Sequence, residues 1–417
     1  MISKLKPLAQ KLTSLELWII APLVGGCLVT QRLFPWTLLV AVLFWGIRWF
    51  ATGKPTLATP VDISVLVLTL TIPVTFWATA LPEKTYIQAV RLLISMSFLY
   101  TIVNWTVTEK KLTLAVLAIV LAGAGLSLFA LISVEWQTEK LYFLSSAIYE
   151  RFAVLVSDTS HSNVMGGNLA LVAPYGLALL LFAHQQLPWW KKISYALITL
   201  IVLGVLVLTQ SRGALIGLIA VLPVLVALRW KRGWVTFPVL AVLMTVLLWQ
   251  WDLKQLLDAA SANVKIGGIE GRIEIWSRGI YMIQDFPFTG IGMGSFTEVA
   301  NLLYPFFSFG GWQVPHAHNL LLQVAIDAGI PGLIAWLSVY LIILVLAWQI
   351  YRHGRAKEDA WACGFGAAVL SSQLLMMVHG IVDAVTWGVR PEPILWALWG
   401  VTLAAWRIIV VEQRDSG

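Results

Sequence analysis

Residues 319–349 read NLLLQVAIDAGIPGLIAWLSVYLIILVLAWQ. From Pro331 to Trp348 this stretch carries no charged residue. About 20 apolar residues cross the hydrocarbon of a bilayer as a helix. Barrel strands alternate polar and apolar side chains, and this run does not. Backbone groups in lipid must be satisfied within the segment, so a continuous run of this kind predicts a membrane helix. The whole stretch is too long for one straight crossing, and Pro331 is expected to divide it into a short leading helix and the span proper.

The same pattern extends outward in both directions. The chain is 417 residues, 59% hydrophobic and 12% charged, whereas soluble domains carry about 25% charged residues. Apolar runs predict about twelve spans, roughly at 14–30, 34–50, 63–81, 87–106, 112–132, 164–184, 193–209, 213–228, 234–251, 319–349, 360–382 and 392–410. The expected fold is an all-α polytopic membrane protein, a single integral domain over 1–417. Many of the 22 tryptophans fall at span ends, among them Trp36, Trp105, Trp189, Trp190, Trp230, Trp234, Trp251, Trp361 and Trp387. Indole prefers the headgroup level, so they read as an aromatic belt.

Most of the 28 lysines and arginines lie in short connections and tails on one side, such as Lys110, Lys111, Lys191, Lys192, Lys231 and Arg232. The positive-inside rule makes that side cytoplasmic, with both termini. Two long loops are then external, 133–163 and 252–318, the larger lying between spans nine and ten. The net charge of +7 flanks membrane spans and does not predict a nucleic-acid partner. Two cysteines in different spans, Cys27 and Cys363, give neither a disulfide framework nor a metal spacing. No cleavable signal peptide is expected.

The larger loop has structure of its own. Ile273, Trp276, Ile280 and Ile283 are spaced three, four and three, which predicts one face of an amphipathic helix over 270–284. Glu274 and Arg278 form an i,i+4 pair on another face. Asp285 and Pro287 end the helix. A glycine turn follows, Thr289-Gly290-Ile291-Gly292-Met293-Gly294. Without a preceding strand or a following Lys-Ser/Thr it is not a phosphate loop, and it reads as a turn that brings the loop against the bundle.

The side chains that could carry chemistry follow this turn. His318 stands at the end of the longest polar stretch, and imidazole titrates nearest neutral pH. Asn319, Gln323 and Asp327 recur every four residues and form a polar stripe behind it on a helix. This stripe faces a polar cavity, a partner helix or the loop above, or else only bonds the backbone of the broken helix. His316 is two residues from His318. That spacing turns the rings to opposite faces of a strand, or about 200° apart on a helix, so no shared metal is expected. Arg212 lies in a tight external turn, against the positive-inside bias, and Arg272 at the start of the loop helix. Arg91 lies a turn inside the fourth span, and Arg390 in the last external turn. Arginines gathered on one side of a membrane suit phosphate, which the planar guanidinium binds in bidentate fashion.

These residues resemble the O-antigen ligase and polymerase superfamily of bacterial membrane glycosyltransferases. The signature is a His followed by Asn, nine residues, then Gly-x-x-Gly, here His318-Asn319, Leu320 to Ala328, Gly329 and Gly332. Ser211-Arg212-Gly213 before a span, Arg272 with Trp276, and Thr289-Gly290-Ile291-Gly292 also look like this family. The resemblance covers about residues 160–390. It implies a GT-C-like fold in the bacterial inner membrane and a metal-independent, inverting transfer with no cofactor. The implied donor is a glycan on undecaprenyl pyrophosphate. The implied acceptor is a hydroxyl of lipid A-core or another glycolipid for a ligase, or of another lipid-linked repeat for a polymerase. His318 is implied to lie near that hydroxyl, with Arg212 and Arg272 holding the pyrophosphate; Arg91 is a further candidate from its position and charge alone. Some relatives are labelled putative bicarbonate transporters, which makes inorganic-carbon transport the alternative. Transporters place ionisable groups at mid-membrane; here the middles of the spans are almost uncharged.

Overall fold

A computed structural model of the chain describes residues 2–136, 144–156, 160–250, 269–307 and 313–412. Trp251, the 251–268 part of the second long loop and Arg414 lie outside the described residues. The first six helices are α1 (Ile2–Thr13), α2 (Glu16–Val29), α3 (Phe34–Thr52), α4 (Asp62–Ala78), α5 (Pro82–Trp105) and α6 (Glu109–Ser133). After the first long loop come α7 (Ser162–Ala183), α8 (Trp189–Leu208), α9 (Arg212–Arg229) and α10 (Thr236–Gln250). The second loop contributes α11 (Ile269–Asp285) and α12 (Phe296–Leu303), and the chain ends with α13 (Leu320–Ala356), α14 (Ala360–Gly380) and α15 (Glu392–Trp406). The strands among the described residues are a parallel pair of two residues each, β1 (Val134–Glu135) with β2 (Ser160–His161).

The fold is the expected all-α polytopic membrane protein. Over its described residues each predicted apolar run is mostly helical. Among the described residues nine helices are long and apolar enough to cross a membrane, and a tenth arises if α1 and α2, bent by 44°, act as one span. The count of twelve is therefore not reached by length. The α2 helix has 14 residues and α4 has 17, about 21 and 26 Å at 1.5 Å per residue, short of a hydrocarbon core of about 30 Å.

The α7 and α14 helices form the centre, with α13, α8 and α9 packed on them and α15 against α5. Outward faces carry bare apolar side chains, such as Ile63, Leu66 and Leu70 on α4, spaced for one helix face turned to lipid. Trp36, Trp189 and Trp234 are exposed, as belt residues must be. The belt reading fails for Trp387, which is buried and donates to Asp327 Oδ2 at 2.8 Å. Trp336, Trp396 and Trp399 are core residues.

The α13 break falls at Gly329, whose φ of 70° and ψ of 176° interrupt the helix two residues before Pro331. That backbone region is essentially reserved for glycine. A Cβ there would meet the Phe288 carbonyl carbon at 2.6 Å. The Ile330 N–H, freed by the break, donates to the Pro287 carbonyl. Pro331 then sits in the first turn of the second half, where no N–H is needed.

The loop helix forms as predicted, and Arg278 pairs with Glu274 at 3.6 Å. Its buried face is a different one. Ile275 and Met282 are buried, whereas Ile273 and Ile280 are 57% and 46% exposed. The helix docks through Gly279, where a Cβ would meet Ile326 Cδ1 at 2.9 Å. A face built partly on glycine has no hydropathy to read, so the isoleucine period misplaced it.

Candidate active site

The polar stripe of α13 is the frame of the site. Asn319 caps the helix, its Oδ1 accepting from Leu322 N at 3.0 Å, while its Nδ2 donates to the Ile381 carbonyl. Gln323 Oε1 accepts from Ala317 N at 2.7 Å, and its Nε2 donates to Asp327 Oδ1 at 3.0 Å. Asp327 also accepts from Trp387 Nε1 and from Gly294 N, and its carbonyl accepts from Thr75 Oγ1. The stripe thus ties together the glycine turn, α4, the 316–318 segment and the turn after α14. Its side chains bond neighbouring segments of the fold. Gly290 has φ 65° and packs on the Ile326 and Asp327 carbonyls, and Gly292, at φ 98°, packs on Thr79. Both glycines seat the turn on the bundle, as the sequence suggested.

His318 itself has φ 47°, in the left-handed region that non-glycine residues rarely adopt. Two bonds hold it there. Its N–H donates to His316 Nδ1 at 3.2 Å, and its carbonyl accepts from Trp276 Nε1 at 3.3 Å. Neither strand nor helix applies at this residue, so the expectation of opposed rings fails. The ring centroids of His316 and His318 are 4.2 Å apart.

Both rings face Asp383, which the sequence reading did not single out. Asp383 Oδ1 lies 3.2 Å from His318 Nδ1 and 3.6 Å from His316 Nε2. The same oxygen accepts from Ala384 N, and Oδ2 accepts from Asn163 Nδ2 at 2.9 Å. The carboxylate is 3% exposed. Burial opposes its ionisation, but the His318 hydrogen bond and the His316, His318 and His379 rings hold its pKa well below the usual carboxylate range. An anionic Asp383 calls for a donor at His318 Nδ1, and in the neutral imidazole with that tautomer Nε2 is the acceptor nitrogen. Burial lowers the His316 pKa, with His318, His161 and Arg272 acting in the same sense and Asp383 against them. Four of the six histidines, His161, His316, His318 and His379, therefore meet at this corner. His161 and Asn163 come from β2 and the first turn of α7, where the first long loop returns to the bundle. His379 lies on α14 against Gly167 and Gly213. The short turn from His379 to Asp383 was the signal available in the sequence.

The ligand atoms of His316, His318 and Asp383 lie within 4.8 Å of one another, close enough to raise a metal. The hydrogen bonds point elsewhere. A neutral imidazole that binds a cation through Nε2 carries its proton on Nδ1, and His316 Nδ1 already accepts from His318 N. Arg272 also acts electrostatically on His316, which disfavours a second cation.

Arg272 reaches the same corner. Burial lowers its pKa, Asp383 raises it, and Arg212 lowers it again, so the two guanidiniums and the carboxylate lie within electrostatic range. Arg272 Nε is buried with no hydrogen-bond partner among the described residues. Arg212 opens α9, where the helix N-terminus leaves N–H groups without intrahelical acceptors. Arg91 has a different set of partners. Its guanidinium donates to the Gly388 carbonyl at 2.5 Å, stacks over Phe34 and faces Glu392.

Residues 197–337 match the family model described as O-antigen ligase. The match spans Arg212, Arg272, both site histidines and the break at Gly329, and ends before Asp383. The match covers 141 of the 417 residues, and over that segment the chain is similar to the O-antigen ligase family. No curated protein matches the chain.

Proposed function

We propose that this protein transfers a glycan from a polyprenyl pyrophosphate, of the undecaprenyl type, to an acceptor hydroxyl. The transfer takes place at the external face of the bacterial inner membrane, with both termini cytoplasmic. One observation carries the reading. A histidine oriented by a buried carboxylate stands in one corner with two arginines, one of which keeps an unused buried donor.

The chemistry follows from that corner. The acceptor hydroxyl gives its proton to His318 Nε2 as its oxygen attacks the sugar C1. The C1–O bond to the pyrophosphate breaks, and the lipid pyrophosphate leaves with the electron pair. Attack opposite the leaving group inverts C1. Asp383 fixes the His318 tautomer and stabilises the imidazolium as it forms. A base placed in this way contributes about 10²–10⁴-fold. Arg212 and Arg272 take the charge that grows on the pyrophosphate, and fixed donors at a water-poor site are among the strongest contributions to catalysis. No metal is required by these steps. Arg91 donates to the Gly388 carbonyl and holds the 388–391 turn. Ligase and polymerase differ in the acceptor and share these steps. The gathering of ionisable groups at one end of the bundle favours surface transfer over an inorganic-carbon pathway through the membrane.

The test is transfer by purified protein in lipid nanodiscs. Arg272→Ala is expected to weaken donor binding, and His318→Ala to abolish transfer while donor binding persists. Wild-type transfer by a folded His318→Ala protein would refute the base.

A further inference from the structure

Three described non-glycine residues have positive φ: Gln210, His318 and Glu358. Strained backbone persists only where surrounding contacts impose it, and it clusters at functional sites. His318 belongs to the site above. Gln210, at φ 51°, is fully buried and stands two residues before Arg212.

The contacts that impose its conformation come from the first long loop. Gln210 Nε2 donates to Tyr149 Oη at 2.8 Å. Tyr149 Oη in turn donates to the Leu208 carbonyl at 2.9 Å, at the end of α8. One phenol therefore holds both sides of the α8–α9 turn. Tyr149 is held by Trp136, 5.7 Å between ring centroids, and Trp136 by Phe152 at the same distance. On the opposite side, Thr209 and Ser211 press on Gly166 of α7, where a Cβ would come within 2.7 Å of both side chains. Arg212 is the first residue of α9 beyond this clamp, and Gly213 packs on His379 and Val382, next to Asp383. A shift of the turn would move the Arg212 guanidinium relative to Arg272.

We propose that Tyr149 is a positioning residue that sets Arg212 for the donor pyrophosphate through the strained Gln210. This rests on the donor reading above. It gives the first long loop a task separate from that of Asn163, which bonds the carboxylate, and of His161, which acts on His316.

The experiment measures binding of farnesyl pyrophosphate to the full-length protein in detergent, with farnesol as the control for the tail. The wild type is expected to bind, and Arg212→Ala to lose most of that binding. Tyr149→Phe keeps the ring and loses the hydroxyl with its bonds to Gln210 and Leu208; its affinity is expected to fall about fivefold or more. Gln210→Gly relieves the strain and removes the clamp, and is expected to weaken binding similarly. A structural role alone would lower the unfolding temperature and leave affinity unchanged. Wild-type affinity in both Tyr149→Phe and Gln210→Gly, with Arg212→Ala impaired, overturns the positioning role. Absent wild-type binding, or full binding by Arg212→Ala, overturns the pyrophosphate assignment and the role with it.

Discussion

Replacing Asp383 by Asn should separate catalysis from donor binding. The carboxylate takes bonds from His318, Ala384 and Asn163, so an amide of the same shape keeps the packing. If its oxygen faces His318, its NH2 faces Asn163, whose own amide can turn to accept. The fold should therefore survive with a loss of about 1 kcal/mol, one neutral bond. What disappears is the charge beside the imidazolium. At 3.2 Å and an effective dielectric of about 20, a full charge pair is worth about 5 kcal/mol. Half a charge transferred at the transition state makes that about 2.5 kcal/mol, or about 70-fold in kcat. Donor affinity should hold or tighten, because Arg272 loses an anion that competes for it. The assay is the initial rate of glycan transfer in nanodiscs, with donor and acceptor each varied. A kcat within threefold of wild type, in a protein with normal unfolding, would refute the orienting role of Asp383. So would a loss confined to donor KM.

Other perturbations test the frame. Gly329→Ala should destabilise by more than about 2 kcal/mol, from a disfavoured φ/ψ and a Cβ 2.6 Å from Phe288, and thermal unfolding in detergent would record it. On the loop helix, Ile275→Ala should cost about 3 kcal/mol and the exposed Ile273→Ala less than about 0.5; equal losses would restore the face read from hydropathy. His316 has its pKa lowered in the folded protein, so the unfolded chain binds the extra proton as pH falls below about 6.5. Stability should then decline with acid by up to about 1.4 kcal/mol per pH unit. A His316→Asn protein should show a shallower slope between about pH 6.5 and 5, measured by unfolding at each pH.

Much of this was legible in the chain. Apolar runs such as Leu333–Trp348 declared the helices, because lipid leaves few other solutions for a backbone. His318 and Arg212 stood out as polar groups at the edges of such runs. Asp383 did not, since it lies 65 residues from His318 and 220 from Asn163, and only the packing of α7, α13 and α14 joins them. The opposed-ring inference for His316 assumed regular backbone, which His318 at φ 47° does not have. The stripe through Gln323 and Asp327 was visible as periodicity, but its partners Ala317, Trp387 and Gly294 are tertiary. The α11 face was hidden because Gly279 packs without a side chain to announce it.

The central claim is that His318 accepts the acceptor proton while the arginines hold the leaving group. Its most direct test is a single-turnover reaction of purified protein with a glycan on undecaprenyl pyrophosphate, a glycolipid hydroxyl acceptor and excess chelator. Release of undecaprenyl pyrophosphate and gain of the glycan by the acceptor are measured together. The account predicts equal amounts of both from the wild type, and neither from His318→Ala that still binds donor. Transfer by His318→Ala at the wild-type rate, or wild-type transfer that stops with chelator, would contradict it.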